Sequence, residues 1–474
     1  MKPITSLFFA GCLLSGLAIA QSPVKLGIHA NAPGEPIPAD FSGLSFETGS
    51  LQYNSAGVDG YLFDSTNAQL LTLFQNLGIK NLRIGGSSVD ANKGGYIPTR
   101  KDIDAMFRFA KAADVSVIYS LRLLNGNPSQ DASTAKYVWD NYRRYLLCFA
   151  IGNEPNLYKD RDPEIKDEAS YLVKWRKFAA IVSNSVPGAK FGGPDNGTGG
   201  TSWAAYFAKH EVNSGKLLYI FSHNYGGGGL RGKSAQQLID EMLSSDWDTV
   251  RYPAYYSKIG RMASSYGLPY RLTELNSFVA PYPGVWGGNN SFATALFALD
   301  AMYWWAAHDS RGVNFHTVVG KYNGTIYRDK NGNYQVYPIG YGIKAFDVGG
   351  HGKLDAVTIT NPDNVNLTAY AVTDATDNLL VTIVNKEHGA NARGVAVTLV
   401  ARGLARRKAA AMFLTAPNSD VGATSGITLG GASITNDASW HGKWSPLKPA
   451  LKGQYMVIVP ATSAAIIKIA RDKT

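Results

Sequence analysis

Two glutamates are the residues best placed to do chemistry. Glu154 lies in Phe149-Ala150-Ile151-Gly152-Asn153-Glu154-Pro155-Asn156, an apolar run that stops abruptly at polar residues and a proline. Glu274 lies in a second such run, Arg271-Leu272-Thr273-Glu274-Leu275-Asn276. A carboxyl at the rim of an apolar wall is partly desolvated, which suits a general acid. Two opposed carboxyl groups are what retaining glycoside hydrolysis requires. One protonates the leaving oxygen and the other attacks the anomeric carbon. The attacking carboxylate must stay ionised, so an arginine or tyrosine should hydrogen-bond it. Helix capping or a salt bridge is the alternative for Glu154, against which its Asn-Glu-Pro context speaks, and either glutamate alone is weak evidence. The pair at matched positions favours chemistry.

The surrounding elements must bring those positions together. From about residue 41 to 346, short apolar runs alternate with longer amphipathic stretches. The expected strands are Phe41–Glu47, Asn81–Gly86, Ser116–Leu123, Leu147–Glu154, Ala189–Asp195, Tyr219–Tyr225, Tyr270–Asn276 and Gly312–Val319. Helical patterns fall at Asn67–Leu77, Lys101–Ala113, Thr134–Tyr145, Ser170–Ser185, Ser234–Ser244, Tyr252–Tyr266 and Phe292–Ala307. Eight such units predict an α/β fold, a (β/α)8 TIM barrel over 41–346, with catalytic groups at the C-terminal ends of its strands. Glu154 then ends the fourth strand and Glu274 the seventh, facing each other across the mouth. A doubly wound open sheet competes, but no Gly-rich phosphate fingerprint marks its first turn.

After residue 347 the pattern becomes short strands separated by turn residues: Asn366–Thr373, Asn378–Asn385, Gly394–Val400, Ala410–Leu414, Gln454–Val459 and Ala464–Ala470. This predicts an accessory antiparallel β-sandwich domain at 347–474. Within residues 21–40, Val24–Ala30 is also strand-like and is expected to join that sandwich. Residues 1–20 read as a cleaved signal peptide. Lys2 supplies the positive charge, Ile4 to Leu17 is mostly apolar, and Ala18-Ile19-Ala20 is a small-x-small cleavage site. The expected product is secreted or periplasmic, with no membrane span. Cleavage removes Cys12 and leaves Cys148, read as a small core residue rather than a nucleophile.

With these residues in place, the sequence resembles glycoside hydrolase family 79, the β-glucuronidase and heparanase-like group. Asn153-Glu154 matches the acid/base motif of its clan, and Thr273-Glu274 matches the nucleophile motif. The resemblance runs over the whole mature chain and implies a retaining exo-β-glucuronidase without metal or organic cofactor. Alternatives are an endo-acting heparanase-like enzyme, another retaining β-glycosidase of the clan, or a carbohydrate-binding protein without catalysis. By the same resemblance, Asn153 holds the sugar 2-hydroxyl and Glu47 grips non-reacting hydroxyls, with Ser87 a weaker match. His223 and Tyr225 form the family's His-x-Tyr element, and Gly320 and Tyr322 bind the uronic carboxylate. Arg83 supports the nucleophile. The family's Tyr-Gly-Gly run after the nucleophile has no unique counterpart here. Either Tyr282, or Trp286 with Gly287 and Gly288, takes its part.

The 474-residue chain is 17% charged and 45% hydrophobic, a globular composition. Its formal net charge is +10. That charge fits an acidic partner, here a glucuronic-acid-containing carbohydrate, but the basic residues are scattered. The sequence carries no nucleic-acid-binding motif, phosphate loop, serine-hydrolase elbow or metal-ligand spacing.

Overall fold

The computed structural model describes residues 22–30, 33–55, 57–90, 96–158, 161–279, 283–401, 407–449 and 454–470. The expected signal peptide lies outside them. Strand β1 (Val24–His29) precedes eight parallel strands: β2 (Ser42–Glu47), β3 (Asn81–Gly85), β4 (Ser116–Leu121), β5 (Leu146–Ile151), β6 (Phe191–Asn196), β7 (Leu217–Asn224), β8 (Tyr270–Leu275) and β9 (Ser310–His316). These eight close into a barrel, with β2 paired to both β3 and β9. The expected (β/α)8 barrel is therefore present.

Two helices fall outside the expected set, and glycine explains why. Helix Thr201–Glu211 starts behind Gly199-Gly200 with no side-chain cap. Helix Pro338–Gly349 contains Gly340 and Gly342, which read as turn residues. In the fold, Gly342 lets that helix approach its neighbour, since a Cβ there would lie 2.1 Å from the Ala295 carbonyl oxygen. The neighbour, helix Ala293–Ala306, is buried along its whole length. It is held between the barrel and the sheet domain, where Tyr303 stacks on Tyr370 at 4.9 Å.

A small hairpin, β10 (Ile326–Arg328) with β11 (Tyr334–Val336), decorates the loop after β9. The sheet domain follows: β12 (Lys353–Thr360), β13 (Leu367–Thr373), β14 (Leu379–Asn385), β15 (Val395–Ala401), β16 (Ala409–Thr415), β17 (Thr428–Leu429), β18 (Ser445–Leu447), β19 (Tyr455–Val459) and β20 (Ser463–Ile469). The strand order is β17-β16-β20-β14-β13-β12-β1-β15-β19, with β18 on β16. Strand β12 turns the corner of this curled sandwich. Lys353–Asp355 pairs with β13, and Ala356–Thr360 pairs with β1. Strand β1 also lies parallel to β15, Val24 opposite Val397.

Strand β14 is buried on both faces. Leu379, Val381 and Ile383 fill the sandwich interior with Val24, Leu26 and Tyr455. Leu380 and Val384 face the barrel's own core. The two-residue period of a strand thus anchors one domain on the other. Among the described residues, no helix is long and apolar enough to cross a membrane.

Candidate active site

Strand β5 ends in an irregular turn that sets Glu154. Glu154 takes a left-handed backbone conformation, φ 51°. Such a conformation costs about 1–3 kcal/mol for a residue with a side chain. Its surroundings hold it there. The Glu154 N–H donates to the Asp195 carbonyl at 2.9 Å, and the Leu157 N–H donates to the Glu154 carbonyl at 2.8 Å. One residue earlier, the Asn153 N–H donates to Asp90 Oδ2 at 2.7 Å. Buried Asp90 also accepts the Tyr158 hydroxyl and the N–H groups of Leu123 and Leu124. This carboxylate ties the ends of β4 and β5 together.

Glu274 lies in β8, almost fully buried. Its Oε1 accepts the Tyr225 hydroxyl at 2.6 Å, and its Oε2 accepts Arg83 Nη1 at 2.7 Å. Both His316 Nδ1, at 3.7 Å, and His223 Nδ1, at 3.9 Å, flank Oε2. Burial alone would push this carboxyl's pKa up. The positive field of His316, His223 and Arg83, with the Tyr225 hydrogen bond, instead holds it well below the ordinary glutamate value.

Arg83 is fully buried in β3 and organises the site. Besides Glu274, it donates to Ser45 Oγ at 3.0 Å, Asn153 Oδ1 at 2.6 Å and Asp195 Oδ2 at 2.5 Å. Burial disfavours its charge, but Asp195 and Glu274 more than compensate and raise its pKa. The planar guanidinium matches several acceptors at once, which a lysine could not. His223 completes the link. Its Nδ1 lies 3.1 Å from Glu154 Oε1 and its Nε2 lies 3.2 Å from Asp195 Oδ1. Burial disfavours the charged ring, but Glu274 and Asp195 outweigh it and push the pKa up to about 10. His223 is therefore an imidazolium between the two glutamates. The two distances from its Nδ1 cap the separation of the facing carboxyl oxygens at about 7 Å, which leaves out most of the roughly 6.5–9.5 Å span of inverting enzymes.

Both glutamates line an open cavity of about 340 Å³, within the size range of small-ligand sites. Glu47, Ser87, Asn156, Leu157, Gly197 to Gly199, Tyr225, Val279, His316, Lys321 and Asn323 complete its wall. Glu47 ends β2 and is fixed by the N–H groups of Ser87, at 3.3 Å, and Ser88, at 2.7 Å. Gly86 permits that approach, because a Cβ there would lie 2.5 Å from the Glu47 carboxyl carbon.

The structure thus gathers Glu47, Ser87, Tyr225, Glu154 and Glu274 around the cavity, with Asn153 and His223 directly behind. The loop residues are placed differently. The Gly287 N–H donates to Asn290 Oδ1 at 2.8 Å, and the Gly288 N–H to the Val285 carbonyl at 3.1 Å. Those amides are spent inside the loop. Trp286 is 59% exposed and packs edge-on against Tyr322, ring centres 5.2 Å apart. Trp286, Gly287, Gly288, Gly320 and Tyr322 are not among the cavity-lining residues, whereas Lys321 and Asn323 are. Tyr282 lies outside the described residues. Sequence reasoning missed Asp195, Asp90, His316 and Asn323. Asp195 did end a predicted strand, which is the signal that could have found it. Among the described residues, no three His, Cys, Asp or Glu side chains converge as a metal site. Cys148 is buried, and burial pushes its thiol pKa up, away from reactivity.

No protein-family model matches this sequence, and no curated protein matches it. The fold does find counterparts. A 4-O-α-L-rhamnosyl-β-D-glucuronidase from Fusarium oxysporum aligns with a TM-score of 0.71 at 16% identity, over 94% of this chain and 99% of that one. A family 51 arabinofuranosidase from Xanthomonas axonopodis pv. citri gives 0.68 at 15%, over the same shares. A monomeric β-xylosidase from Caulobacter crescentus gives 0.62 at 14%, again over 94% and 99%. At these identities the likeness establishes a shared architecture, a barrel with its β-sheet companion, and these three counterparts are glycosidases.

Proposed function

We propose that this chain is a retaining exo-β-glucuronidase. The observation that carries the reading is the placement of two glutamates on one cavity, one of them buried and held ionised. Glu274 is buried and held ionised by Arg83, Tyr225 and two histidines, while Glu154 opens on the same cavity across His223. Glu274 attacks the anomeric carbon as Glu154 gives its proton to the departing glycosidic oxygen. Water then hydrolyses the glycosyl ester, with Glu154 taking its proton, and releases the sugar with its configuration kept. Lys321 and Asn323 on the cavity wall supply a cation and an amide for a sugar carboxylate. The architecture shared with a glucuronidase supports the same reading.

A second reading is a neutral glycoside. It is favoured by the loop amides of Gly287 and Gly288, which are already satisfied, and by the arabinofuranosidase and xylosidase neighbours. A panel of aryl β-glucuronide, β-glucoside, β-xyloside and α-L-arabinofuranoside separates the two. The expected result is preferential cleavage of the glucuronide, with β-glucuronic acid the first anomer seen by NMR. Faster turnover of a neutral glycoside would replace the first reading by the second.

A further inference from the structure

The cavity wall is divided by charge, and the barrel's strand order shows how. Glu47, His316 and Lys321 come from the ends of β2 and β9, which are neighbours, and Glu274 comes from β8 beside them. On the opposite arc, the loops after β5 and β6 contribute Asn156, Leu157 and Gly197 to Gly199. Among the described residues, Glu154 is the sole charged cavity-lining residue on that arc. Two acceptor oxygens there already have partners. Asn156 Oδ1 accepts the Gly197 N–H at 2.9 Å, and Thr198 Oγ1 accepts the Tyr225 N–H at 2.9 Å.

Two large apolar side chains stand in the open at the cavity, Leu157 on this arc and Val279 on the loop after β8. Leu157 is 56% exposed and Val279 is 53% exposed. Both sit on pinned backbone. Leu157 ends the turn Pro155–Leu157, closed by its own bond to the Glu154 carbonyl. Val279 is bridged to Gly229, and its N–H donates to the Gly228 carbonyl at 2.8 Å. Neither residue is needed by the core, and exposed apolar surface at a binding cleft marks what the cleft receives.

We infer that Leu157 and Val279 form an aglycone subsite for an aromatic group. The inference rests on the reading of Glu154 as the acid. The leaving oxygen must meet Glu154, so the group it carries passes Leu157, one turn further along. The sugar ring itself occupies the charged arc between Glu274 and Glu47. A saccharide aglycone would set its hydroxyls against the Leu157 and Val279 side chains, which offer no hydrogen bond, whereas a flat aromatic one loses water against them.

Non-hydrolysable 1-thio-β-glucuronides test this without interference from leaving-group ability. Inhibition constants are compared for naphthyl, methyl and glucosyl aglycones in the wild type, Leu157→Ser and Val279→Ser. The naphthyl compound is expected to bind the wild type about 10-fold more tightly than the methyl compound, and that ratio should fall to about 2–3 in Leu157→Ser. A ratio untouched by both variants, or a glucosyl compound that binds best, overturns the subsite. If glucuronides fail to bind at all, the same aglycone series is built on the glycone that the hydrolysis panel selects. A Leu157-dependent aryl preference there retains the subsite and rejects the glucuronidase. Absence of hydrolysis of every glycoside rejects both.

Discussion

Arg83 bonds Asp195 and Glu274 at the barrel mouth, and Lys386 bonds Asp248 and Asp300 where the barrel meets the sheet domain. Each is a buried cation between two carboxylates, yet the two networks hold their protons in opposite ways. At the mouth a second cation, His223, joins the arginine, and the positive charge suffices to keep Asp195 and Glu274 ionised. At the domain junction one lysine serves two buried aspartates. Burial and the charge of Asp300 outweigh Lys386 there, and Asp248 is pushed up to about 7. The geometry differs in the same sense. The guanidinium fork spreads over four acceptors and leaves one carboxylate facing a cavity, whereas the ammonium is a point charge closed in by Thr368 and Tyr370 on Asp300. Excess positive charge keeps a cavity-facing carboxylate ionised. Excess negative charge stores a proton and joins two domains.

The comparison breaks most visibly at Glu274. Glu274→Gln removes the attacking oxygen while keeping the shape, and turnover should fall by roughly 10⁴-fold or more. Measured kcat within about tenfold of wild type would remove Glu274 from the chemistry. Arg83→Lys comes next. It keeps a positive charge but loses the fork, so kcat/KM should drop by about 10²–10³-fold. Its distinctive signature is the acid limb of the pH–rate profile, which should move to higher pH as Glu274 loses the field that holds it ionised. A loss of rate with an unmoved limb would make Arg83 a scaffold only.

How much of this was legible in the sequence follows from the same two networks. Glu154, Glu274, Arg83 and Tyr225 each interrupt or end an apolar strand, where a polar residue stands out against its neighbours. Asp195 ends a strand too, but it follows Gly192-Gly193-Pro194, and its partners Arg83 and Thr273 lie 112 and 78 residues away. His316 closes β9 three residues before the expected strand end, so in the sequence it reads as an interior strand residue. Strand β12 is largely exposed and carries no apolar run to read. The Lys386 network gave no sign at all. Its aspartates are 138 and 86 residues distant, and Asp300 sits inside a helix apolar on every side. Strand-end chemistry is local and shows in the sequence, whereas a domain junction exists only after both domains have folded.

The junction can be opened without touching the mouth. Lys386→Met leaves two buried carboxylates without their cation and should cost about 3–5 kcal/mol of stability. The folded fraction should retain wild-type kcat, since no member of this network lines the cavity. Calorimetry with active-site titration checks both. A fall in kcat per folded site would mean that the domains communicate with the catalytic groups.

The smallest effect is the most informative about protons. Asp248 keeps its proton up to about 7, against 3.8 for an unfolded aspartate. Between those values the native state binds more protons than the unfolded chain, so this residue makes stability fall as pH rises from about 4 to about 7. Glu274 acts with the opposite sign in an adjoining window. Its depressed native value gives stability that is present above the unfolded pKa of 4.5 and is lost as pH falls below it. His223, raised to about 10, adds a decline that begins only above its unfolded value of 6.5. Thermal midpoints at constant ionic strength should therefore change in a site-specific way. In Asp248→Asn the decline between pH 4 and 7 should flatten while the acid-side loss persists. In Glu274→Gln the acid-side loss should shrink while the decline persists. An unchanged slope between pH 4 and 7 in Asp248→Asn would place the stored proton elsewhere and end the contrast between the two networks.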